Sequence, residues 1–193
     1  MLTGAAATCP CDVNIGLYGY ETLAGTGGFI GDATEASSAV IDACRNEVDT
    51  FFMATLADTS MCVPMPAMVT ETVLPGYYCQ TAAISIAAAT TITLDALGDA
   101  NAKFVFLSGG AITTGDSVKF VLANGATSEN ILWITVGAAT LGANSISQGI
   151  FITGPTAALT LGANGKLCGR ALIDAAATMG AGSSIVAADC VSS

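Results

Sequence analysis

Three related stretches in the C-terminal third of the chain decide the fold: Ala138-Ala139-Thr140-Leu141-Gly142-Ala143-Asn144, Ala158-Leu159-Thr160-Leu161-Gly162-Ala163-Asn164 and Ala176-Ala177-Thr178-Met179-Gly180-Ala181-Gly182. Their first alanines, at positions 138, 158 and 176, are 20 and then 18 residues apart. A period this short is typical of one turn of a β-solenoid, in which each repeat stacks on the one before it. Each repeat offers a short strand, a Gly/Asn corner and a second strand around Ile146, Leu167 or Ile185.

The first two repeats continue into a third strand. These continuations are Gly149-Ile150-Phe151-Ile152 and Gly169-Arg170-Ala171-Leu172-Ile173. Three strands in each turn predict a β-solenoid of triangular cross-section, with its C-terminal rungs over about residues 138–190. The length of the chain, residues 1–193, predicts a single domain.

Alternation of side chains along a strand predicts which residues of each repeat face outward. If Leu141, Leu161 and Met179 point into the core, the Thr one position earlier and the Ala three positions earlier point out. The predicted flat binding face is therefore made of Thr140, Thr160, Thr178, Ala138, Ala158 and Ala176. The rows of this face, one for each rung, would be about 4.8 Å apart, and its Ala and Thr columns would be about 6.7 Å apart. Outward Thr also has a plain explanation, because Thr has a high β-propensity. Ser145 and Ser147 are weaker candidates on the neighbouring side.

One long helix is predicted before the repeats. Asp32-Ala33-Thr34-Glu35 is a D-x-x-E variant of the capping box, which is typical of a helix start. Apolar residues then recur at helical spacing as far as Leu56, with charged residues on the other side. The pattern predicts a helix over about residues 33–57 whose apolar stripe packs on a flat surface.

Composition excludes several classes of function. Only 10% of the residues are charged, 52% are hydrophobic, and the formal net charge is −10. Nucleic acids and anionic lipid surfaces require clustered Lys and Arg, so neither partner is expected. The chain has no His, which excludes Ser-His-Asp catalysis, Cys-His catalysis and His-ligated metal sites. We expect a protein that is not an enzyme and that needs no cofactor and no metal.

Two local patterns in the sequence resemble a metal or catalytic site and a membrane span. Asp95 and Asp99 resemble a carboxylate pair or, with Asn101, a calcium loop, but their spacing matches no such loop and a solvated turn is favoured. The uncharged run over residues 130–165 is interrupted every few residues by Gly, Asn or Pro. A lipid-exposed helix does not carry such breaks, so no membrane span is predicted.

Seven cysteines indicate the compartment: Cys9, Cys11, Cys44, Cys62, Cys79, Cys168 and Cys190. None has the C-x-x-C spacing that thiolate zinc sites often use, so disulfides in a secreted protein are favoured. The preferred bridges are Cys62 with Cys79 and Cys168 with Cys190, and the odd number leaves one thiol free or paired with another chain. The start of the chain lacks the features of a signal peptide, so secretion predicts residues upstream of Met1.

Several further motifs, in order along the chain, resemble the ice-binding-like family of secreted proteins. Leu74-Pro75-Gly76-Tyr77-Tyr78-Cys79 resembles the "PGVYC" step of that family, and the stretch from Thr93 to Phe106 resembles its "LDA-GD-NA-F-F" segment. Ile131-Leu132-Trp133, the Leu-Gly-Ala-Asn corners and Gly169-Arg170-Ala171-Leu172 follow in the family's order. The resemblance covers nearly the whole chain. It implies a right-handed, discontinuous β-solenoid, whose rungs are not sequential in the chain, with the long α-helix packed alongside.

Two functions fit this resemblance. The first hypothesis is a non-enzymatic extracellular structural protein that self-associates, copy to copy, into a filament or matrix through flat apolar faces and strand edges. The apolar composition, the odd cysteine count and a first strand that looks short favour it slightly. The alternative is an ice-binding (antifreeze) protein that adsorbs to ice crystals through the flat A-x-T face.

Overall fold

A computed structural model describes residues 15–16, 24–25, 28–30, 60, 62–173, 175–186 and 190. In chain order its strands are β1 (Ile15–Gly16), β2 (Ala24–Gly25), β3 (Gly28–Ile30), β4 (Val63–Pro64), β5 (Glu71–Val73), β6 (Gly76–Gln80), β7 (Ile84–Ile86), β8 (Thr91–Asp95), β9 (Phe104–Ser108), β10 (Ile112–Thr114), β11 (Lys119–Ala123), β12 (Ile131–Thr135), β13 (Ala139–Leu141), β14 (Ile146–Thr153), β15 (Leu159–Leu161), β16 (Lys166–Leu172), β17 (Ala177–Met179) and β18 (Ser184–Val186). A single turn of 3₁₀ helix, Ser128–Asn130, is the one helical element in this part of the chain.

The strands form three parallel rows, here called faces A, B and C. Face A has the order β4, β6, β9, β12, the second half of β14, the second half of β16, and β1. Face B has the order β7, β10, β13, β15, β17 and β2. Face C has the order β5, β8, β11, the first half of β14, the first half of β16, β18 and β3. Every pair is parallel, which is what a chain coiling in one direction produces.

Each turn of the coil contributes one strand to each face. Rungs 1 and 2 are β6–β7–β8 and β9–β10–β11, and rungs 3, 4 and 5 run from β12 to β18 with β14 and β16 shared between successive turns. Strands β1, β2 and β3 come first in the chain but pair with β16, β17 and β18 of rung 5. The stacking order therefore differs from the chain order, as the family resemblance implies.

The shared strands bend at a glycine. Gly149 and Gly169 are in register, and their φ angles of 113° and 141° carry the chain from face C to face A without a loop. A Cβ atom on Gly169 would lie 2.1 Å from the carbonyl oxygen of Gly149, so a side chain would break this contact. Rungs 1 and 2 make the same corner with a loop, which lengthens them.

An aromatic ladder runs through the core beneath face A. The register of the strands stacks Tyr78 on Phe106, Phe106 on Trp133, and Trp133 on Phe151, with ring centroids 5.4, 4.1 and 5.6 Å apart. The indole of Trp133 is fully buried and donates a 2.9 Å hydrogen bond to the carbonyl oxygen of Gln148. Such stacks contribute stability beyond the burial of apolar area.

Residues 65–74 close the core at the rung 1 end. Met68 is 3% exposed and belongs to the main core, with Met65 packed against it. Burial, and after it the carboxylate of Glu71, raises the pKa of Tyr78 above its ordinary value. The Tyr78 hydroxyl donates a 2.8 Å hydrogen bond to the carbonyl oxygen of Leu74.

The structure confirms a mostly β fold built from a curled, parallel-stranded sheet, and its strands β13–β18 lie between Ala139 and Val186. The predicted helix over 33–57 lies outside the described residues, as do Cys9, Cys11 and Cys44. Within the described ranges, no helix has the length and apolar character needed to cross a membrane.

Candidate functional site

Face B carries an outward column of hydroxyl side chains in strict register. Ser85 pairs with Thr113, Thr113 with Thr140, Thr140 with Thr160, and Thr160 with Thr178. Ser85, Thr113 and Thr178 are exposed, while Thr140 and Thr160 are half-buried by their neighbours. At the far end of the face, Ala24 of β2 pairs with Thr178 and ends the hydroxyl column.

A column of alanines stands two residues before the hydroxyl column. Its members are Ala83, Ala111, Ala138, Ala158 and Ala176. Backbone bonds of 2.8 to 3.0 Å run along it, each from the amide after one alanine to the carbonyl oxygen of the alanine in the next rung. The structure thus brings the six predicted face residues together and adds two rungs that the sequence analysis missed.

The missed rungs carry the same A-x-Ser/Thr signal. Ala83-Ile84-Ser85 and Ala111-Ile112-Thr113 match the pattern, but position 111 precedes 138 by 27 residues and 83 precedes 111 by 28. The loops at the corner between faces C and A lengthen these rungs, so a search at a period near 20 does not reach them. A search for the tripeptide without a fixed period finds all five.

A buried apolar layer and a hydrogen-bonded corner support the face. The alanine column and the hydroxyl column of face B together form a grid of five rungs. Directly beneath this grid lie residues that are at most 2% exposed: Ile84, Ile112, Ala139, Leu159 and Ala177. The corner between faces B and C turns at Ala89, Ser117, Asn144, Asn164 and Gly182, which all have positive φ. The backbone amide of Asn144 donates a hydrogen bond to the carbonyl oxygen of Ala163, and that of Asn164 donates to the carbonyl oxygen of Ala181, both at 2.8 Å. Asn accepts this left-handed conformation better than most residues, which explains the Gly/Asn corners of the repeat.

The grid itself is small and uncharged. Two residues after the hydroxyl column stand Gly115, Gly142, Gly162 and Gly180, where a Cβ atom would lie 2.5 Å or less from backbone atoms of the neighbouring rung. Among the described residues, the one charged side chain beside the grid is Asp116, which lies at the edge towards face C. A surface of methyls, hydroxyls and glycines at equal steps has no side chain that rises above its neighbours.

Faces A and C differ from face B. On face A most outward side chains are large and apolar, with Arg170 as a charged exception, and Val105, Leu107, Ile134 and Ile152 are each 9% exposed or less. On face C, the outward neighbours Gln148 and Cys168 are fully buried, and both contact Cys190. Face C also carries the exposed Lys119 and Lys166. Among the described residues, face B is therefore the face that is open, uncharged and regular along its length.

The two serines considered as weaker candidates face inward. Ser145 and Ser147 are both fully buried. The Ser145 hydroxyl donates a 2.6 Å hydrogen bond to the carbonyl oxygen of Gly142 and so holds the corner, while the Ser147 hydroxyl has no partner. The interpretation of these serines as surface residues is wrong, because both continue the inward alternation of Leu141, and Ser147 pairs with the buried Leu167.

The acidic residues of the segment around Asp95 hold turns. Both carboxylate oxygens of Asp95 accept hydrogen bonds from the side-chain amide of Asn124, at 2.8 and 2.9 Å. One carboxylate oxygen of Asp99 accepts from the backbone amide of Asn101 at 2.8 Å. Each carboxylate therefore stabilises the loop between faces C and A, which is the solvated-turn interpretation. In the described part of the chain no three His, Cys, Asp or Glu side chains come together as a metal site.

Two disulfides join the preferred cysteine pairs at the margins of the coil. Cys62 is bonded to Cys79, with 5.4 Å between their Cα atoms, and ties the segment of β4 to β6. Cys168 is bonded to Cys190, with 5.5 Å between their Cα atoms, and ties the C-terminal segment to face C.

Comparison with known proteins identifies the family. Residues 3–185 match the model of the ice-binding-like family. The chain belongs to this family. An ice-binding protein of Flavobacterium frigoris (strain PS1) is 27% identical over 180 residues, which cover 89% of this chain and 61% of that protein. An ice-binding protein of Nostoc sp. (strain HG1) is 36% identical over 101 residues, which cover 52% of this chain and 36% of that protein. This ice-binding-like chain thus spans less than two thirds of the length of these relatives.

Solved structures share the fold. An ice-binding protein from an Antarctic biological consortium has a TM-score of 0.78 at 22% identity, covering 93% of this chain and 89% of that chain. A glycosylated ice-binding protein from an Arctic yeast has a TM-score of 0.72 at 17% identity, covering 96% and 94%. The named relatives and solved structures are all ice-binding proteins, and none of them is named as a filament or matrix protein. The structural role that the sequence analysis put first is therefore not supported by these comparisons.

Proposed function

We propose that this chain is a non-enzymatic ice-binding protein that adsorbs to ice crystals through face B. The observation that carries the proposal is the five-rung A-x-Ser/Thr grid, in register, on the one described face that is open and uncharged. Membership of the ice-binding-like family supports ice as the ligand, and the geometry of the grid supports face B as the surface that binds it.

The chemistry of the grid suits a lattice of water molecules. Alanine and threonine methyls do not bind water strongly, while threonine hydroxyls both donate and accept hydrogen bonds, so water is held at fixed points between them. The repeat of the rungs, about 4.8 Å, is imposed by the hydrogen bonds of the sheet. Because the backbone already holds the side chains in place, little conformational entropy is lost on adsorption. A charged group on the grid would hold a tight hydration shell that does not match ice.

We further propose that residues 1–193 form a single, right-handed, discontinuous β-solenoid of triangular cross-section. Crossover connections between parallel strands are right-handed in about 98% of cases, which supports the handedness. We place the predicted helix over 33–57 against face A. The support is the row of large apolar side chains that point outward there and are nevertheless buried, such as Leu107 and Ile134.

We propose an extracellular location. The support is the pair of disulfides, because structural disulfides are rare where the thiol pool is reducing. Mass spectrometry of the native protein, alkylated without reduction, would show both bridges; free thiols at these four cysteines would contradict the proposal.

The test of the ice face is a bulky substitution at its centre. Thr160→Tyr raises a ring above the flat grid, so ice-recrystallisation inhibition should fall by at least about tenfold, equivalent to 1.4 kcal/mol of adsorption free energy. Thr93→Tyr is the matched control, because Thr93 also points outward from a strand centre, but on face C. Equal losses in the two variants, or no loss in either, would contradict the assignment to face B.

Self-association is a second proposal with one observation in its favour. Strand β7 pairs with β10 on one side, and among the described strands none pairs with its other side, which leaves an edge for a strand of another copy. Electron microscopy of the unreduced protein at micromolar concentration tests this role. Ordered fibres or sheets would support it, and dispersed single particles would remove it.

A further inference from the structure

The junction between rungs 2 and 3 of face B is bonded differently from the other junctions. Where rungs 1 and 2 meet, the amide of Gly115 donates to the carbonyl oxygen of Ile86 at 2.8 Å. The amides of Gly162 and Gly180 make the same backbone bond to Leu141 and Leu161, at 2.7 Å each. At the corresponding point between rungs 2 and 3, the amide of Gly142 donates instead to the side-chain Oγ1 of Thr114, at 3.0 Å.

A second side chain serves the same junction. One carboxylate oxygen of Asp116 accepts a 2.8 Å hydrogen bond from the backbone amide of Ala143, the residue after Gly142. The residues at the equivalent position in the other rungs are Ala88, Ala143, Ala163 and Ala181, which have no acceptor. The residues equivalent to Thr114 are Ile86, Leu141, Leu161 and Met179, which have none either. The two polar residues therefore occur together at the one junction where the backbone bond is replaced.

The strand pairing shows the same break. Between the other neighbouring rungs from 1 to 5, the pairing on face B extends over three residue pairs. Between β10 and β13 it covers Ile112 with Ala139 and Thr113 with Thr140, and stops before Thr114. Thr113 is thus the last residue of β10 that pairs with β13, and backbone bonds between these two rungs resume at the next corner, where the Ser117 amide donates to the carbonyl oxygen of Ala143 at 2.8 Å.

We propose that Thr114 and Asp116 are positioning residues that align Thr113 with Thr140 and so hold the five rungs of the grid in one plane. This inference rests on the proposed function in naming ice as the ligand of that plane. Without the two side-chain bonds, rungs 2 and 3 stay joined by the backbone bonds on either side of this point. The patch at Ser85 and Thr113 would however lose its fixed alignment with the patch from Thr140 to Thr178. Each patch offers fewer matched contacts to one ice plane than the undivided grid.

Amide hydrogen exchange tests the positioning role independently of ice. Thr114→Val keeps the shape of the buried side chain but removes the acceptor, so exchange at Gly142 should become at least about tenfold faster, equivalent to 1.4 kcal/mol. Exchange at Gly162, which bonds to a backbone carbonyl, should not change. Thr114→Ser keeps the hydroxyl and should retain slow exchange. Unchanged exchange at Gly142 in Thr114→Val would overturn the proposal.

A double-mutant cycle tests the link to the grid. We expect Thr114→Val to lower ice-recrystallisation inhibition as much as Thr113→Ala does, and to lower it no further in the Thr113→Ala background. Fully additive losses would overturn the link. Thr90→Val is the matched control, because Thr90 is a buried threonine of the same corner that bonds within rung 1.

The role of the Asp116 carboxylate as an acceptor is tested by paired variants. Asp116→Asn keeps an oxygen acceptor at the same place and should preserve slow exchange at Ala143, whereas Asp116→Ala should accelerate it. Asp99→Ala is the control, since it removes an exposed carboxylate that accepts a backbone amide away from face B. If the unsubstituted protein has no activity on ice, the proposed function fails. The exchange measurements at Gly142 and Ala143 then still decide whether the positioning role stands.

Discussion

Faces A and B are built from the same coil but present opposite surfaces. The outward positions of face A include four buried apolar residues, Val105, Leu107, Ile134 and Ile152, whereas those of face B hold alanine, serine and threonine, which are all exposed or half-buried. Both faces lie over one apolar core and are held by parallel ladders of the same kind. The two faces therefore differ in their outward side chains and in whether those side chains are covered, and this difference separates a face that contributes stability from a face that is free to bind.

The largest expected effect comes from placing a charge on each face in turn. Ile134→Asp puts a carboxylate in a fully buried outward position of face A and should lower the free energy of unfolding by about 3–5 kcal/mol. Thr140→Asp, in the following strand, should lower it by less than about 1 kcal/mol, because this side chain reaches water. Urea unfolding followed by the fluorescence of Trp133 measures both.

The same pair of variants should give the reverse order on ice. Thr140→Asp should abolish most of the ice-recrystallisation inhibition, since it holds a charged hydration shell at the centre of the grid. Ile134→Asp should retain activity at temperatures at which it stays folded. If Thr140→Asp were the less stable variant, the distinction between the two faces would be wrong.

An intermediate effect is expected from the bridge on face C. Replacing both Cys168 and Cys190 by alanine opens a loop that spans 22 residues of sequence, and should cost about 3 kcal/mol of unfolding free energy. Ice activity in the cold should persist, because the bridge lies on a different face from the grid. Loss of activity in a variant that is folded at the assay temperature would show that face C contributes to ice adsorption.

The smallest expected effect comes from making the hydroxyl column threonine in all five rungs. Ser85→Thr adds one methyl to the rung 1 end of the grid and should raise ice activity by about twofold, with stability changed by less than about 0.5 kcal/mol. Ser184→Thr is the control, because Ser184 lies on an outward strand position of face C. A larger gain in the control than in Ser85→Thr would contradict a binding face that begins at rung 1.

Particular residues show how far the sequence predicts the site. The 20- and 18-residue steps are enough to identify Thr140, Thr160 and Thr178 as one column, because stacking repeats of similar length brings equivalent residues together. Ser85 and Thr113 were missed because the loops that lengthen rungs 1 and 2 sit at another corner of the coil. Ser145 and Ser147 were assigned to the wrong side, although both lie at even spacing from the inward Leu141, so that the alternation along the chain already places them inside.

The sequence by itself determined the strands of the C-terminal repeats, their stacking and the outward place of their threonines, since alternation along a strand and the repeat period are local properties. It also supported the family and the two cysteine pairs. The tertiary structure decided that face B is open while the outward residues of face A are buried, and that the grid has five rungs. Whether an outward side chain is covered depends on segments distant in the chain, such as the one that brings Cys190 to Cys168 and Gln148, and no local pattern contains that information.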